Sequence, residues 1–325
     1  MFGEGLFMAP IIFCLLCACG DNKEPGSAAL LVGESYLEVP GGRIWYKVSG
    51  AGDGVPVVLL HGGPGGSSFY LKPFEDLGND RQVIRYDQLG GGKSDVIEDT
   101  TLFTIGHFVK ELELLRAHLG LNKWHVLGHS WGTMLALEYY RAYPDRVSSL
   151  IFGSLCLDSQ AWEQSTKQLL ASFPDSLQQA IVNAETTGYY DDPLYKVAMN
   201  QFYAEHVWGP NPPRPDFDSL LATFNTAIYE YMWGPSEFTV TGTLKNYSAV
   251  SFLPIIKVPT LFTVGGNDEI NPDIVREYAG KVKDSQFAVF AGSSHMTPWD
   301  ARDESVRVVR GFLNDVDSLS IPSGR

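Results

Sequence analysis

Cysteine is nearly missing from this chain. Of 325 residues four are Cys, and three of those, Cys14, Cys17 and Cys19, crowd into the first nineteen. Cys156 is left without a partner for a disulfide framework or a Cys-based metal site. Clustered basic residues are lacking too. With 24 Lys and Arg against 38 Asp and Glu, and a formal charge of −14, the sequence shows no basic cluster for a phosphate backbone, which argues against a nucleic-acid partner. Long apolar runs are also scarce: "LFMAPIIFCLLCACG", residues 6–20, is too short and too abruptly ended for a comfortable membrane span. No internal repeat is found. What is present, 44% hydrophobic and 12% aromatic residues, suffices to bury the core of one large domain or two ordinary ones.

The first residues are set apart before the fold is considered. The apolar run stops at "GDNKEPGSA", a stretch of linker composition, which together have the shape of an export signal. "LCAC", residues 16–19, resembles the lipobox of bacterial lipoproteins, in which a small residue precedes the cysteine that is lipidated, here Cys19. An ordinary cleaved signal and an uncleaved hydrophobic anchor are the alternatives, because Cys17 is unusual at its position and Glu4 stands where Lys or Arg is expected. The expected organisation is therefore a signal or lipoprotein-like segment at 1–19, a linker at 20–33, and a core in two parts, 34–156 and 258–325. A helical insert at 157–257 separates the two parts. Export and attachment to a membrane through the N-terminus follow as expectations.

From Glu34 onward strand-like and helix-like segments alternate. "SYLEVPGGRIWYKVSG" reads as a hairpin turning at Pro40, Gly41 and Gly42. "VPVVLLHGG" is a continuous apolar run of the kind buried on both faces of a parallel sheet, and "RQVIRYDQ", "KWHVLGHS" and "VSSLIFGS" repeat its signature. Helical stretches such as "HFVKELELLRAHLG" lie between them. Strands alternating with helices predict βαβ units and an α/β fold with a mostly parallel, doubly wound sheet. The alternation lapses over 157–257, where the period is helical and "WGPNPPRPDF" breaks it, then resumes with "VPTLFTVGG" and "SQFAVFAGSSH" and closes on "DESVRVVRGFLNDV". An insert so placed is more naturally a lid over the strand ends than an independent domain.

Gly128-His129-Ser130-Trp131-Gly132 fits G-x-S-x-G, with a strand before it and a helix after it as that motif requires. Ser130 is the expected nucleophile. A serine hydroxyl needs a base, and the base an orienting carboxylate. Asp268 follows one late strand and His295 the next, so the chain order Ser, Asp, His is that of the α/β-hydrolases. Glu269 and Asp273 are the fallback carboxylates. His129 adjoins the serine and must point elsewhere, His125 lies within a strand, and His107 and His118 sit on a helix. For the oxyanion, "HGGPGG" after a buried strand supplies a loop free of side chains. Pro64 has no N–H, so Gly63 is the expected donor, joined by Trp131, and His61 is expected to fix the loop. "LGGGKS" is no phosphate loop, since Asp87 stands where that pattern requires glycine; it is expected to be a turn near the active site. No metal or cofactor is implied.

In "LLHGGPGGSS", "RYDQLGGGKSD", "GHSWGTMLALEY", "YMWGPSEFTVTGTLKNY", "VPTLFTVGGNDE" and "GSSHMTPW" the chain resembles the proline iminopeptidases and related amino-acid amidases of the α/β-hydrolase fold, from about Tyr36 to Leu313. The resemblance implies a serine hydrolase that releases an N-terminal amino acid, proline preferred, from short peptides or amino-acid amides. Such a site must bind a free α-ammonium, and a desolvated ammonium needs an opposite charge. Lid glutamates do this in the family, which points to Glu237 in "GPSEF" and Glu205 in "FYAEHVWG". Phe202, Tyr203, Tyr231 and Trp233 are candidate walls for a pyrrolidine ring. "VWGPNPPRP" lacks an expected Cys-Arg, and Gly91 replaces a cysteine usual in the family, which bears on substrate size. An esterase or lactonase on the same scaffold and a non-catalytic binding protein are the alternative readings.

Overall fold

The structure is a computed structural model that describes residues 30–209, 212 and 216–320. The signal-like segment, Cys19 and part of the proline-rich breaker lie outside the described residues. Eight strands form one sheet: β1 (Gly33–Val39), β2 (Gly42–Ser49), β3 (Gly54–Leu60), β4 (Arg81–Tyr86), β5 (Trp124–His129), β6 (Val147–Gly153), β7 (Thr260–Gly265) and β8 (Gln286–Phe290). Their spatial order is β1-β2-β4-β3-β5-β6-β7-β8. The hairpin of β1 and β2 turns at Pro40 and Gly41 and pairs antiparallel, as does β2 with β4; every later pairing is parallel. Gly41, at φ +103, adopts the left-handed backbone that the turn requires.

The apolar run of β3 is continuous because both faces of the strand are covered. Val58 and Leu60 join the core with Phe108, Leu112, Met134 and Leu135 on one side, while Val57 and Leu59 join Phe74, Leu77, Val309 and Leu313 on the other. The first side is built by helices α1 (Ile105–His118) and α2 (Trp131–Ala142), and the second by the 3₁₀ segment Ser68–Asn79 and the C-terminal helix. Thr104 starts α1 by accepting from the His107 N–H.

Between β6 and β7 stand α3 (Ser159–Leu170), α4 (Asp175–Thr187), α5 (Pro193–Phe202), a π-helical turn Tyr203–Val207, α6 (Asp216–Ala222) and α7 (Thr226–Met232). Asp158 and Asn225 cap α3 and α7, and Gly188 at φ +73 ends α4. This helical insert carries an apolar core of its own, with Phe173, Ile181, Tyr195, Phe202 and Phe238. After β7 come α8 (Pro272–Ala279), β8, α9 (Thr297–Asp300) and α10 (Arg302–Ser320).

The strand order reverses direction between β3 and β5: the chain leaves β3 for β4 on one side and returns to β5 on the other. A crevice opens at such a switch point, beyond the carboxyl ends of the strands. The loop after β3 and the turn after β5 therefore face each other across it. No helix among the described residues is long and apolar enough to cross a membrane.

Candidate active site

Ser130 occupies the turn from β5 into α2 with φ 57 and ψ −128, a backbone state that L-residues rarely adopt. Three glycines make room for it. A Cβ at Gly128 would overlap the Gly132 carbonyl, and one at Gly132 would overlap the Leu60 carbonyl. A Cβ at Gly62 would come within 2.8 Å of the Ser130 Cβ. The motif is thus a steric requirement of a sharp turn pressed against β3, and the Ser130 N–H is tied to the Gly153 carbonyl at 3.0 Å.

Ser130 and His295 line one cavity, together with Tyr70, Phe224 and Glu237. The His295 Nδ1 stands 2.8 Å from an Asp268 oxygen. Burial alone would push the Asp268 carboxyl up, but the His295 imidazole, the Ser154 hydroxyl and the Gly265 N–H outweigh it and hold the group below the usual range. An ionised Asp268 places the imidazole proton on Nδ1 and leaves Nε2 free to accept one. The fallback carboxylate Glu269 lies farther away, at 3.6 Å from Nδ1, and Asp273 is exposed on α8.

On the other side of the nucleophile the loop after β3 is fixed by His61. Its Nε2 accepts from the Gln88 N–H at 3.0 Å, so its Nδ1 carries the proton and donates to the Gly62 carbonyl at 2.8 Å. Burial keeps this ring neutral. A trans peptide points its N–H opposite its carbonyl, so holding the Gly62 carbonyl aims the Gly63 N–H away from His61. Gly63 carries φ +112, and a Cβ there would stand 2.7 Å from the Gly66 nitrogen. The Trp131 N–H belongs to the first turn of α2, where amides lack helical partners. Gln88 spans the two parts: its amide nitrogen donates to the His61 carbonyl at 3.1 Å, and its oxygen accepts from the Trp131 Nε1 at 2.9 Å. Residues 89–94 form a turn held by Asp87, which accepts from the Lys93 N–H at 2.9 Å and the Ser68 N–H at 2.6 Å. Gly91 lets this turn press on the oxyanion loop, since a Cβ there would overlap the Gly66 carbonyl.

Glu237 is half-buried and walls both the main cavity and a narrow second one beside Ser130, lined by Met134, Cys156, Trp162 and Trp233. Its backbone is fixed by the Trp162 Nε1, which donates to its carbonyl at 2.9 Å, and by the Tyr203 hydroxyl, 3.2 Å from its N–H. Glu269 is fully buried, and both its carboxyl oxygens lack a hydrogen-bond partner. Burial pushes both carboxyls up, and for Glu269 the neighbouring Glu237 and Asp268 push further. A fully buried, unpartnered carboxyl at Glu269 close to a second carboxyl at Glu237 makes this end of the site favourable to a cation.

Glu205 stands elsewhere. Its side chain is 49% exposed on the π-helical turn and accepts from the Gln201 Nε2 at 3.0 Å. The turn presents its neighbour inward instead: the His206 carbonyl accepts from the His295 N–H at 2.8 Å, and its Nδ1 lies 3.0 Å from the Asn267 carbonyl. Of the four aromatics, Trp233 walls the second cavity, Tyr203 holds Glu237, Phe202 belongs to the insert's core, and Tyr231 lies 42% exposed against Phe103. His125 is bonded to Ser149 and Asp317, His118 to Tyr46, and His107 sits near Glu111, all outside the cavity. Sequence reasoning missed Gln88, Tyr70 and His206, and treated Glu269 only as a spare for Asp268. The adjacency in "NDE" was the available signal for Glu269; the others leave no local pattern.

The α/β hydrolase fold family matches residues 55–301. The proline iminopeptidase of Heyndrickxia coagulans is 40% identical over 286 residues, covering 87% of this chain and 99% of its own. Among solved structures, the proline iminopeptidase of Mycobacterium smegmatis superposes with a TM-score of 0.81 at 30% identity, covering 89% of this chain and 100% of its own. The crystal structure of VinJ superposes with a TM-score of 0.82 at 30% identity, covering 87% and 99%. With identities of 30–40% over nearly nine-tenths of its length, the chain belongs to the proline iminopeptidase family of serine α/β-hydrolases.

Proposed function

We propose that this hydrolase releases the N-terminal residue, proline preferred, from short peptides or amino-acid amides through an acyl-enzyme on Ser130. The observation that carries the reading is Glu237, which walls the cavity that Ser130 and His295 line, with the fully buried Glu269 near it and 3.6 Å from the His295 Nδ1. In any amino acid the α-nitrogen is only about 2.5 Å from the carbonyl carbon, two bonds away. An ammonium site must then lie within a few ångströms of the nucleophile, in the cavity that Ser130 shares with Glu237. A protonated N-terminal proline carries a positive charge that Glu237 would offset, with Glu269 adding to the negative field behind it. Its ring would lie in the cavity that Ser130 lines, on the side where Trp162, Trp233 and Met134 wall the narrow space beside the serine.

In this reading the Ser130 Oγ attacks the carbonyl carbon while the His295 Nε2 takes its proton. The oxyanion receives the Gly63 and Trp131 N–H groups. His295 returns the proton to the leaving amine, the C–N bond breaks, and water deacylates the serine by the same steps in reverse. Asp268 stabilises the imidazolium. Attachment to a membrane through the N-terminus, with Cys19 as the lipidated residue, belongs to the same proposal and is supported by "LCAC" alone.

The test compares proline p-nitroanilide, its N-acetyl derivative, alanine p-nitroanilide and a p-nitrophenyl ester, with Ser130→Ala as control. Hydrolysis of the free-amine anilide that vanishes on acetylation and on Ser130→Ala is expected. Ester turnover indifferent to the amine would overturn the ammonium site and the aminopeptidase reading with it.

A further inference from the structure

His129 precedes the nucleophile, and its ring is buried at the edge of the cavity that Ser130 lines, 4.8 Å from the His295 ring between centroids. Each of its nitrogens has one neighbour. Nε2 lies 3.0 Å from the His295 carbonyl, and Nδ1 lies 3.0 Å from the Tyr70 hydroxyl. The same hydroxyl lies 2.6 Å from the Gly62 N–H.

Elementary hydrogen-bond chemistry fixes the direction of every link. Burial, reinforced by the neighbouring His295, suppresses protonation of His129 down to about 3, so the ring is neutral, with one donor and one acceptor. A carbonyl only accepts, so Nε2 holds the proton and donates it to the His295 carbonyl. Nδ1 is therefore an acceptor, and the Tyr70 O–H must donate to it. The Tyr70 oxygen is then free to accept the Gly62 N–H, which a backbone amide can only donate. No other arrangement satisfies all three links.

We propose that Tyr70 and His129 are a positioning pair that locks the oxyanion loop and the His295 loop to the nucleophile elbow as one rigid unit. The consequence at the oxyanion loop is specific. His61 holds the Gly62 carbonyl and Tyr70 holds the Gly62 N–H, so both peptide planes flanking Gly62 are fixed, including the one whose other end is the Gly63 N–H. Because the Gly62 amide is consumed by Tyr70, the oxyanion has to be met by Gly63. At the other end, the His295 carbonyl takes His129 and the Ser154 hydroxyl, at 3.0 and 3.1 Å, while the lid's His206 carbonyl takes its N–H. Misplacing a preorganised donor costs rate in the transition state and leaves ground-state binding nearly alone, so the pair's signature is in kcat.

This inference rests on the Ser130 mechanism above, and the experiment separates the two. Tyr70→Phe removes one hydroxyl and keeps the buried ring; His129→Gln keeps a donor for the His295 carbonyl and moves the acceptor away from the Nδ1 position that Tyr70 uses. Both are assayed on proline p-nitroanilide beside the double variant, with thermal unfolding followed for each. Each single change is expected to lower kcat about tenfold or more with KM within about twofold, and the double variant to lose no more than the larger single loss. A Tyr70→Phe enzyme with wild-type kcat, or single losses that multiply in the double variant, would overturn the pairing. Should Tyr70→Phe fail to fold, His129→Gln decides alone by the same split between kcat and KM. Activity surviving Ser130→Ala would instead overturn the mechanism on which the inference stands.

Discussion

The His295 Nδ1 lies 2.8 Å from an Asp268 oxygen, and both groups are buried. Ionised Asp268 selects the tautomer in which Nε2 can take the serine proton. Asp268→Asn keeps the shape and offers an amide donor to Nδ1, which favours the wrong tautomer. A loss in kcat of roughly 10³–10⁴ is expected, by analogy with other serine triads, with thermal stability little changed. Glu269 does not rescue this variant, because it stands 3.6 Å from Nδ1, beyond hydrogen-bond reach. A loss under about tenfold would show that Glu269 can orient the imidazole.

For the carboxyl pair the sign of the pH dependence follows from charge. Burial raises both groups, so at mildly acidic pH they hold protons, and a neutral carboxyl attracts an ammonium weakly. KM for a free-amine anilide is therefore expected to fall as pH rises above the usual carboxylate range, until the substrate amine itself loses its proton. Glu237→Gln and Glu269→Gln should each raise KM at neutral pH by about ten- to a hundredfold, the worth of a hydrogen bond to a charged group. Glu205→Gln, on the exposed turn, should change it less than about twofold. A larger effect at Glu205 than at Glu269, in steady-state kinetics on the same substrate, would move the ammonium site to the lid surface.

Glu111 offers a stability prediction away from the cavity. It is fully buried on α1, accepts from the Leu89 N–H at 3.2 Å, and has His107 Nε2 at 3.9 Å. Burial pushes its carboxyl up to about 8, partly offset by the Leu89 N–H. A group raised in the folded state binds its proton more tightly there than in the unfolded chain. Its contribution is thus complete below the ordinary carboxylate value and lost as pH climbs from there to about 8. Glu111→Gln keeps an oxygen for Leu89 and removes the ionisation, so between pH 5 and 9 its melting temperature should decline less than the wild type's. Parallel decline of the two, followed by calorimetry, would show that Glu111 ionises freely in the fold.

Much of the site was legible because its parts are local. Ser130 announces itself through two glycines that the turn cannot do without, and Asp268 and His295 through their places at strand ends. The lid insert shows as a lapse in alternation, and the hairpin of β1 and β2 as two glycines after a proline. Glu205 was misplaced because a one-residue step on a π-helical turn exchanges the inward and outward faces, so that His206, not Glu205, points at the triad loop.

By itself, the sequence determined which residues form strands, where the sharp turn falls, and which side chains are the candidates for nucleophile, base and carboxylate, since these depend on period, sterics and residue chemistry within a few positions. The tertiary structure decided everything that depends on neighbours far apart in the chain. The strand order sets the Gly62–Gly63 loop against Ser130, Gln88 bridges it to Trp131, and Tyr70 reaches His129 across 59 positions. Glu269 gained a second carboxyl neighbour only when the lid laid Glu237 near it. Burial creates the electrostatics of that pair, and burial is a property of packing rather than of the sequence around either residue.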